Sequence, residues 1–420
     1  MSALDVLLRS ARRAQGVLSR ASSPQRALCL EVLGARLAAA RRAILEANRE
    51  DLDAATELSP ALRDRLTLTP LRLDGVLKAL GEVLALEDPL GEERPLPGGS
   101  PRPNGLRVYR RRIPLGVLAV IYEARPNVTV EASALCLKSG NAVVLRGGRE
   151  AARTNLALAR EVRGALGDAG LDPDAVTLLE DPSRDAVRAL LGAVGKVDLV
   201  VPRGGPGLMA FVDEHARVPV IRHGQGICHL YVHADADHAM ARALVVNSKV
   251  QRPGVCNALE TLLVHREAAP QLLPSLGAAL REEGVELRAC ARSAELLRAS
   301  GVPAVDAHPE DWDTEFLALI LAVRCVDSLD DALAHIARHG TGHTASVCTR
   351  DPSVGERFLR EVDASCVLWN ASTRFNDGGE LGLGAELGIS TSRMHAFGPM
   401  GLRELTAEKF VVRGEGQVRS

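Results

Sequence analysis

The sequence predicts an α/β protein of two domains, each a parallel sheet covered by helices. Three observations carry that expectation. Short apolar runs rich in Val, Ile and Leu alternate with helical segments, first over 115–221 and again over 236–369. Runs of that kind mark strands buried on both faces, and the helices between them supply the cover. A stretch dense in Pro and Gly interrupts the chain at 88–104 (Pro89, Gly91, Pro95, Pro97, Gly98, Gly99, Pro101, Pro103), the composition of an exposed connection and a domain boundary. The length of 420 residues exceeds one ordinary core and suggests two or three domains.

Taken in order, residues 1–55 read as two amphipathic helices. Ser23-Pro24 marks a start, because Pro is tolerated in a helix's first turn. Strands are expected at 115–121, 142–146, 176–179, 198–201 and 218–221, with helices at 127–139, 150–168, 184–193 and 206–215 between them. The second alternation runs helix 236–248, strand 258–264, helix 267–283, strand 317–326, helix 328–338, strand 344–348, helix 352–361 and strand 365–369. After Asn370 the chain is Gly-rich with little periodicity.

Charge and composition exclude some partners. Lys and Arg total 51 against 53 Asp and Glu, a formal net charge of −2. A global basic field for nucleic acid or an acidic membrane surface is therefore absent. No uncharged apolar stretch reaches the ~18 residues of a membrane span. Asp5 and Arg9 break the N-terminal apolar run, which argues against a secretory signal. An Arg-rich amphipathic start leaves a transit peptide open beside a plain surface helix. The eight cysteines show no CxxC pair and no framework spacing. They read as reduced thiols of a cytoplasmic chain.

Several residues have the chemistry of a site. Gly382-Leu-Gly384-Ala-Glu386-Leu-Gly388 approaches GxGxxG, but its last glycine is one position late and no βαβ unit surrounds it. Arg146-Gly147-Gly148 and Arg203-Gly204-Gly205-Pro206-Gly207 each end an expected strand. Glycines there let backbone N–H groups approach phosphate, and Arg can clamp it. A plain βα turn has the same composition. Cys256 lies in Gln251-Arg252-Pro253-Gly254-Val255-Cys256-Asn257, an irregular loop where Arg252 and Lys249 would favour a thiolate. The alternative is a small buried hydrophobe. Cys228-His229 puts a second thiol near a histidine, although strand alternation points the two side chains to opposite faces. His335, His339 and His343 recur at four-residue spacing, but Gly340 and Gly342 end the helix, and no HExxH or zinc spacing occurs. No metal is expected.

The longest unusual strings are Pro114-Leu-Gly-Val followed by Ile121-Tyr-Glu-Ala-Arg-Pro-Asn-Val-Thr129; Leu135-Cys-Leu-Lys-Ser-Gly-Asn-Ala-Val-Val-Leu-Arg-Gly-Gly148; Gln251 to Ala258 with Glu260-Thr-Leu-Leu-Val264; Asn370-Ala-Ser-Thr-Arg-Phe375; and Gly384-Ala-Glu-Leu-Gly-Ile-Ser-Thr391. In order and spacing, over roughly 1–418, they resemble the gamma-glutamyl phosphate reductases (glutamate-5-semialdehyde dehydrogenases) of proline biosynthesis, a branch of the aldehyde dehydrogenase superfamily. The resemblance implies an aldehyde-dehydrogenase-like α/β fold. It comprises a Rossmann-like NADP-binding domain (1–97 and 113–233), an α/β catalytic domain (234–388) and a small β oligomerisation region (98–112 and 398–420). Strands at 107–112 and 409–413 would make the oligomer contact, a dimer or tetramer.

It also implies a reaction: NADPH-dependent reduction of L-glutamyl 5-phosphate to L-glutamate 5-semialdehyde with release of phosphate. Cys256 would be the nucleophile and Asn127 the oxyanion donor, though Asn127 taken alone could equally cap a helix. Arg146 stands where the superfamily usually has lysine and would meet the 2′-phosphate of NADP. Gly147, Gly204 and Gly205 would face the cofactor, and Glu315 of Glu315-Phe316 would hold its ribose. Arg125, Arg252 and Arg374 would bind the substrate's anionic groups and Glu123 its ammonium, each with a surface ion pair as the alternative. A contact with glutamate kinase is implied by the lability of the substrate.

Two departures are visible. Arg222-His223-Gly224 replaces the family's more usual Glu-Thr-Gly, in the region where hydrolytic relatives keep a glutamate base; its loss suits an enzyme that must not hydrolyse its thioester. His223 becomes a candidate proton donor. His395-Ala-Phe397-Gly398-Pro399 lacks the family's usual arginine. Competing expectations are a relative working oxidatively on a small aldehyde, a zinc-dependent histidinol dehydrogenase, and a catalytically silent scaffold.

Overall fold

The structure, a computed structural model, describes residues 2–221 and 224–419. Helix α1 (Ala3–Leu18) opens on a reciprocal cap, with Ser2 accepting the Asp5 N–H and Asp5 accepting the Ser2 N–H. It buries Leu8, Ala11, Ala14 and Leu18. Helices α2 (Ser23–Ala39) and α3 (Arg41–Ala54) follow, so 1–55 holds three helices where two were expected. The break is a single residue, Ala40, which leaves helical geometry with no sequence punctuation. Helices α4 (Pro60–Leu66) and α5 (Pro70–Ala85) complete this layer. Their starts at Ser59-Pro60 and Thr69-Pro70 repeat the signal read at Ser23-Pro24: a hydroxyl accepts an N–H of the first turn, and Pro stands where no N–H is needed.

Strands β1 (Glu93–Pro95) and β2 (Arg107–Pro114) flank the exposed Pro/Gly segment. Then comes the expected alternation: β3 (Val117–Tyr122), α6 (Asn127–Lys138), β4 (Ala142–Arg146), α7 (Ala152–Asp168), β5 (Val176–Leu178), α8 (Arg184–Leu191), β6 (Leu199–Arg203) and α9 (Pro206–His215). All of β3 is buried, as its unbroken apolar run requires. The strand expected at 218–221 is only a bridge, Val200 to Val220. Pro219 accepts the Val200 N–H but has no N–H of its own to extend a ladder.

The second alternation runs β7 (Cys228–Val232), α10 (His238–Val250), β8 (Leu259–His265), α11 (Ala269–Glu282), β9 (Glu286–Ala289), α12 (Ala291–Ala299), β10 (Val305–Asp306), β11 (Ile320–Val326), α13 (Leu329–His339), β12 (Thr344–Cys348), α14 (Pro352–Glu361) and β13 (Cys366–Trp369). β9, α12 and β10 were not expected. Glu286-Leu-Arg-Ala289 alternates charge with apolar side chains and offers no continuous run. Short strands β14 (Ile389–Ser390) and β15 (Gly398–Pro399) pair with each other, and β16 (Thr406–Arg413) closes the chain.

The chain divides into two compact units: Met1–Arg222 with Gly382–Gly388 and Met400–Ser420, and His223–Leu381 with Ile389–Pro399. The first holds a parallel sheet in the order β5-β4-β3-β6 and an antiparallel sheet β1-β2-β16, with Arg107 opposite Arg413 and Pro114 opposite Thr406. The second holds a parallel sheet in the order β10-β9-β11-β8-β7-β12-β13. Three borders differ from the sequence reading. Gly398–Pro399, assigned to the oligomerisation region, pairs with β14 in the second unit. β7, assigned before 234, pairs with β8 and β12 of the second unit. Residues 382–388, assigned to the catalytic domain, return to the first. There they form no helix; Gly384 and Gly388 sit at positive φ, where a side chain would meet Leu86 and Arg203. This near-fingerprint is a packed turn.

Candidate active site

Two sets of candidate residues stand at strand ends, one in each unit. In the first unit, β4 and β5 step away from β3 on one side and β6 returns to its other side. Open α/β sheets bind ligands beyond the carboxyl ends of their strands at such a reversal. The chain leaving β3 is Glu123 to Asn127, and the chain leaving β6 is Gly204-Gly205, which enters α9 directly. The first N–H groups of a helix lack internal partners and carry partial positive charge. At α9 the N-cap is Gly205, which has no side chain to cap with. Glu123 reaches across instead, and its Oε2 accepts the Gly205 N–H at 2.8 Å. A side chain at Gly204 would overlap the same carboxylate. Glu123, assigned by resemblance to the substrate ammonium, thus occupies the expected phosphate cradle.

Arg146 ends β4. Its Nη1 donates to the Gly147 carbonyl at 3.1 Å and its Nη2 to the Pro182 carbonyl at 2.5 Å. Its Nε is buried without a partner. Burial pulls its pKa down, while the carboxylates of Glu150, Asp181 and Glu123 push it up. Gly147 has a packing reason to be glycine: a Cβ there would overlap the Asn155 amide and crowd the Tyr122 ring. Asn127 is the first residue of α6, whose N-cap is Pro126. The capping alternative therefore fails. Its Nδ2 donates to Glu131 one turn on, at 2.9 Å. Arg125 lies in the same turn, beside Ala124 at φ 40, whose N–H donates to Glu150 at 2.6 Å.

In the second unit, Cys256 lies in the loop between α10 and β8 and is half-buried. The Cys228 thiol donates to the Cys256 carbonyl at 3.1 Å. Burial pushes the Cys228 pKa up, which keeps that sulfur protonated as the donor. A Cβ at Gly226 would overlap the same carbonyl, so only glycine permits the approach. The next residue, Asn257, is buried and donates to the Asn376 carbonyl at 2.9 Å. Thr373 returns a hydroxyl to the Asn257 carbonyl at 2.7 Å, and Ser372 meets Ser248 at 2.9 Å. The segment after β13 therefore straps the cysteine loop to the end of α10.

Two guanidinium groups flank this loop. Arg374 Nε donates to Gln251 at 2.7 Å. Burial lowers its pKa; Asp377 opposes that, Arg252 adds to it, and the Cys256 thiol also acts on it. Lys249 does not stand beside the thiol as a free cation. It is fully buried and bonded to Glu260 at 2.7 Å, with both side chains 0% exposed. Burial lowers Lys249 and raises Glu260 to about 7, each against the attraction of the other. Glu260 also accepts the Leu317 N–H at 3.2 Å, and Glu315 acts on it electrostatically. The ion pair thus joins α10, β8 and the segment carrying Glu315.

His335 lies 4.6 Å from His339 between ring centroids, tilted by 42°, and edge-on to His229 at 5.4 Å. Among the described residues no group of three or more His, Cys, Asp or Glu is arranged to hold a metal ion. Arg222 and His223, the latter a candidate proton donor, lie outside the described residues.

The Aldehyde dehydrogenase family profile matches residues 2–287. A gamma-glutamyl phosphate reductase of Solidesulfovibrio magneticus is 52% identical over 419 residues, covering 99% of this chain and 98% of the relative. One from an Anaeromyxobacter species is 54% identical over 409 residues, covering 97% and 95%. The crystal structure of the Thermotoga maritima gamma-glutamyl phosphate reductase superposes with a TM-score of 0.95 at 42% identity, covering 100% of both chains. The chain belongs to the gamma-glutamyl phosphate reductases of the aldehyde dehydrogenase family.

The family named by the sequence motifs is thus the family found by full-length comparison. For a gamma-glutamyl phosphate reductase the candidate residues form two sets. Glu123, Arg125, Asn127, Arg146, Gly147, Gly204 and Gly205 lie at the strand ends of the first unit. Arg252, Cys256, Glu315 and Arg374 belong to the second. Sequence reasoning missed Gly226 and Cys228 as supports of Cys256, and the Ser372–Thr373 strap. Gly226 was readable as a glycine just before a strand; which backbone approaches it was not.

Proposed function

We propose that this chain reduces L-glutamyl 5-phosphate to L-glutamate 5-semialdehyde with NADPH and releases phosphate, through a thioacyl intermediate on Cys256. The observation that carries the reading is the half-buried Cys256 in a loop fixed through its backbone, with Arg374 within electrostatic reach of both its thiol and Arg252. In this mechanism the Cys256 thiolate attacks the acyl carbon. A C–S bond forms as the C–O bond to phosphate breaks, and phosphate leaves as a stable anion without a strong acid. Arg252 and Arg374 hold the anionic groups of the substrate. By family resemblance Asn127 is assigned to the oxyanion, and Asn127→Ala is expected to lower kcat about 10²–10³-fold. Bound NADPH supplies a hydride to the thioester. Collapse of the resulting hemithioacetal breaks the C–S bond, frees the aldehyde and restores the thiolate.

The first unit suits a dinucleotide. The strand order reverses between β3 and β6, and the buried Arg146 Nε has no partner. We assign Arg146 to the 2′-phosphate, Gly204 and Gly205 to the pyrophosphate, and Glu315 to the ribose. Gly147 supports Arg146 by accepting its Nη1 hydrogen bond. The outer strand β16 exposes Phe410 and Val412 on one face, and supports a homo-oligomer through this sheet. We place the enzyme in the cytoplasm with an associated glutamate kinase; co-elution and transfer of the labile acyl phosphate between the purified proteins test that contact.

The reaction is tested in reverse, because the acyl phosphate is unstable. Semialdehyde, NADP and phosphate with the chain should yield NADPH, and Cys256→Ala or omission of phosphate should abolish steady turnover. Turnover without phosphate would favour an oxidative aldehyde dehydrogenase instead.

A further inference from the structure

The second unit holds a pair of thiols that the proposed reaction does not use. Cys290 follows β9 directly and is the N-cap of α12. Cys325 lies in β11, the neighbouring parallel strand. Ala289 pairs with Val323, and the Cys290 N–H donates to the Val323 carbonyl at 2.9 Å. Cys290 is one residue beyond that pair and Cys325 two beyond it. Strand spacing and rise then put their Cα atoms about 6 Å apart, inside the range a disulfide takes.

The side chains converge as the backbones do. Ser293 Oγ lies 3.3 Å from both sulfurs. The Cys325 N–H donates to the Cys290 sulfur at 3.4 Å. The two sulfurs differ in access: Cys290 is half-buried, while Cys325 is 7% exposed. They differ in charge preference too. Hydrogen bonds from Cys325 and Ser293 lower the Cys290 pKa, whereas the proximity of Cys290 raises Cys325. Most other cysteines behave as plain hydrophobes: burial pushes Cys29 and Cys348 up to about 12 and Cys366 up to about 11. Arg292, paired with Asp327 at 2.5 Å, is not the source of the difference: it acts to lower Cys325, against the direction of that shift.

We propose that Cys290 and Cys325 form a second reactive thiol site, a dithiol that a small-molecule disulfide oxidises to an intramolecular disulfide. The Cys290 thiolate attacks one sulfur of the reagent, its S–S bond breaks, and one small thiol leaves. Cys325 then loses its proton and attacks the Cys290 sulfur, and the second small thiol leaves. Two protein thiols are oxidised and one reagent disulfide is reduced to two thiols. The bond ties the start of α12 to β11, in a part of the unit that carries none of the candidate catalytic residues.

The probe is oxidised glutathione on the full chain, followed by alkylation of the remaining thiols, digestion and mass mapping. The expected product is a peptide pair joined through Cys290 and Cys325, reversed by dithiothreitol. Cys325→Ser should stop at glutathione on Cys290, and Cys290→Ser should leave Cys325 alkylated. With limiting iodoacetamide and no oxidant, Cys290 should be labelled before Cys29, Cys136 and Cys348. Wild-type chain with both Cys290 and Cys325 recovered as alkylated thiols would overturn the proposal. So would glutathione retained on Cys290 with Cys325 free. The wild-type measurement decides the matter even where a serine variant folds poorly, and it requires no catalytic activity.

Discussion

The two sets of candidate residues are held in different ways. Around Cys256 the contacts go to backbone: Cys228 to its carbonyl, Thr373 to the Asn257 carbonyl, and Asn257 to the Asn376 carbonyl. The same unit holds a buried ion pair, Lys249 to Glu260. At the strand ends of the first unit, the central contact is one carboxylate, Glu123, on the N-terminus of α9. The loop of Cys256, the proposed nucleophile, is fixed in shape by backbone contacts, whereas at the proposed phosphate cradle a single Glu123 carboxylate takes the Gly205 N–H. A nucleophile needs placement to a fraction of an ångström; a cofactor that comes and goes needs a contact that yields.

That contrast can be broken most severely at the ion pair. Lys249→Met leaves Glu260 buried without its partner, and loss of one member of a buried pair costs about 3–5 kcal/mol. Chemical denaturation should show that loss, and a joint replacement of both residues by apolar ones should recover much of it. If the single variant is as stable as the parent, the pair does not hold the loop. Acid should act on the same unit. His229 is buried, and burial lowers its pKa to about 4; burial lowers His335 as well. Groups depressed in the folded state contribute stability in full above the unfolded pKa near 6.5, and lose it as pH falls toward the folded value. For His229 the loss amounts to about 3 kcal/mol, and it should shrink in a His229→Gln variant measured over the same range.

Next in size is Gly226→Ala, whose methyl group would overlap the Cys256 carbonyl. Overpacking of this kind costs about 1–3 kcal/mol, and kcat should fall without a matching change in NADP affinity. The smallest effect falls on the first unit. Glu123→Gln removes a negative charge from the helix end, where such a charge is worth about 0.3–1 kcal/mol. NADP should bind about 2–5-fold more tightly in a fluorescence titration. A raised KM for the acyl substrate with unchanged NADP affinity would return Glu123 to the substrate ammonium and remove the contrast.

Much of this was legible in the sequence where one physical pattern dominated. Residues 142–146, 206–215, 344–348 and 352–361 were placed from apolar runs and the segments alternating with them, and the structure has elements at those positions. Failures had local causes. Pro219 cannot donate to a ladder, Glu286–Ala289 hides a strand behind alternating charge, and α4 and α5 begin on a hydroxyl–Pro signal read only at its first occurrence. The loop of Cys256 stood out because Pro253 and Gly254 exclude regular structure. What supports it did not. Lys249 finds Glu260, Cys228 finds the Cys256 carbonyl and Glu123 finds Gly205 only once strands lie side by side. Pairings made by topology leave no spacing rule in the chain.

The most direct test of the central claim is a burst experiment. The purified chain is mixed rapidly with semialdehyde and NADP in the absence of phosphate, and NADPH is counted against active sites. The account predicts one NADPH per site, then a halt, with Cys256 carrying the acyl group by mass and turnover resuming when phosphate is added. Continuous NADPH formation without phosphate, or an acyl group on any other residue, would contradict it.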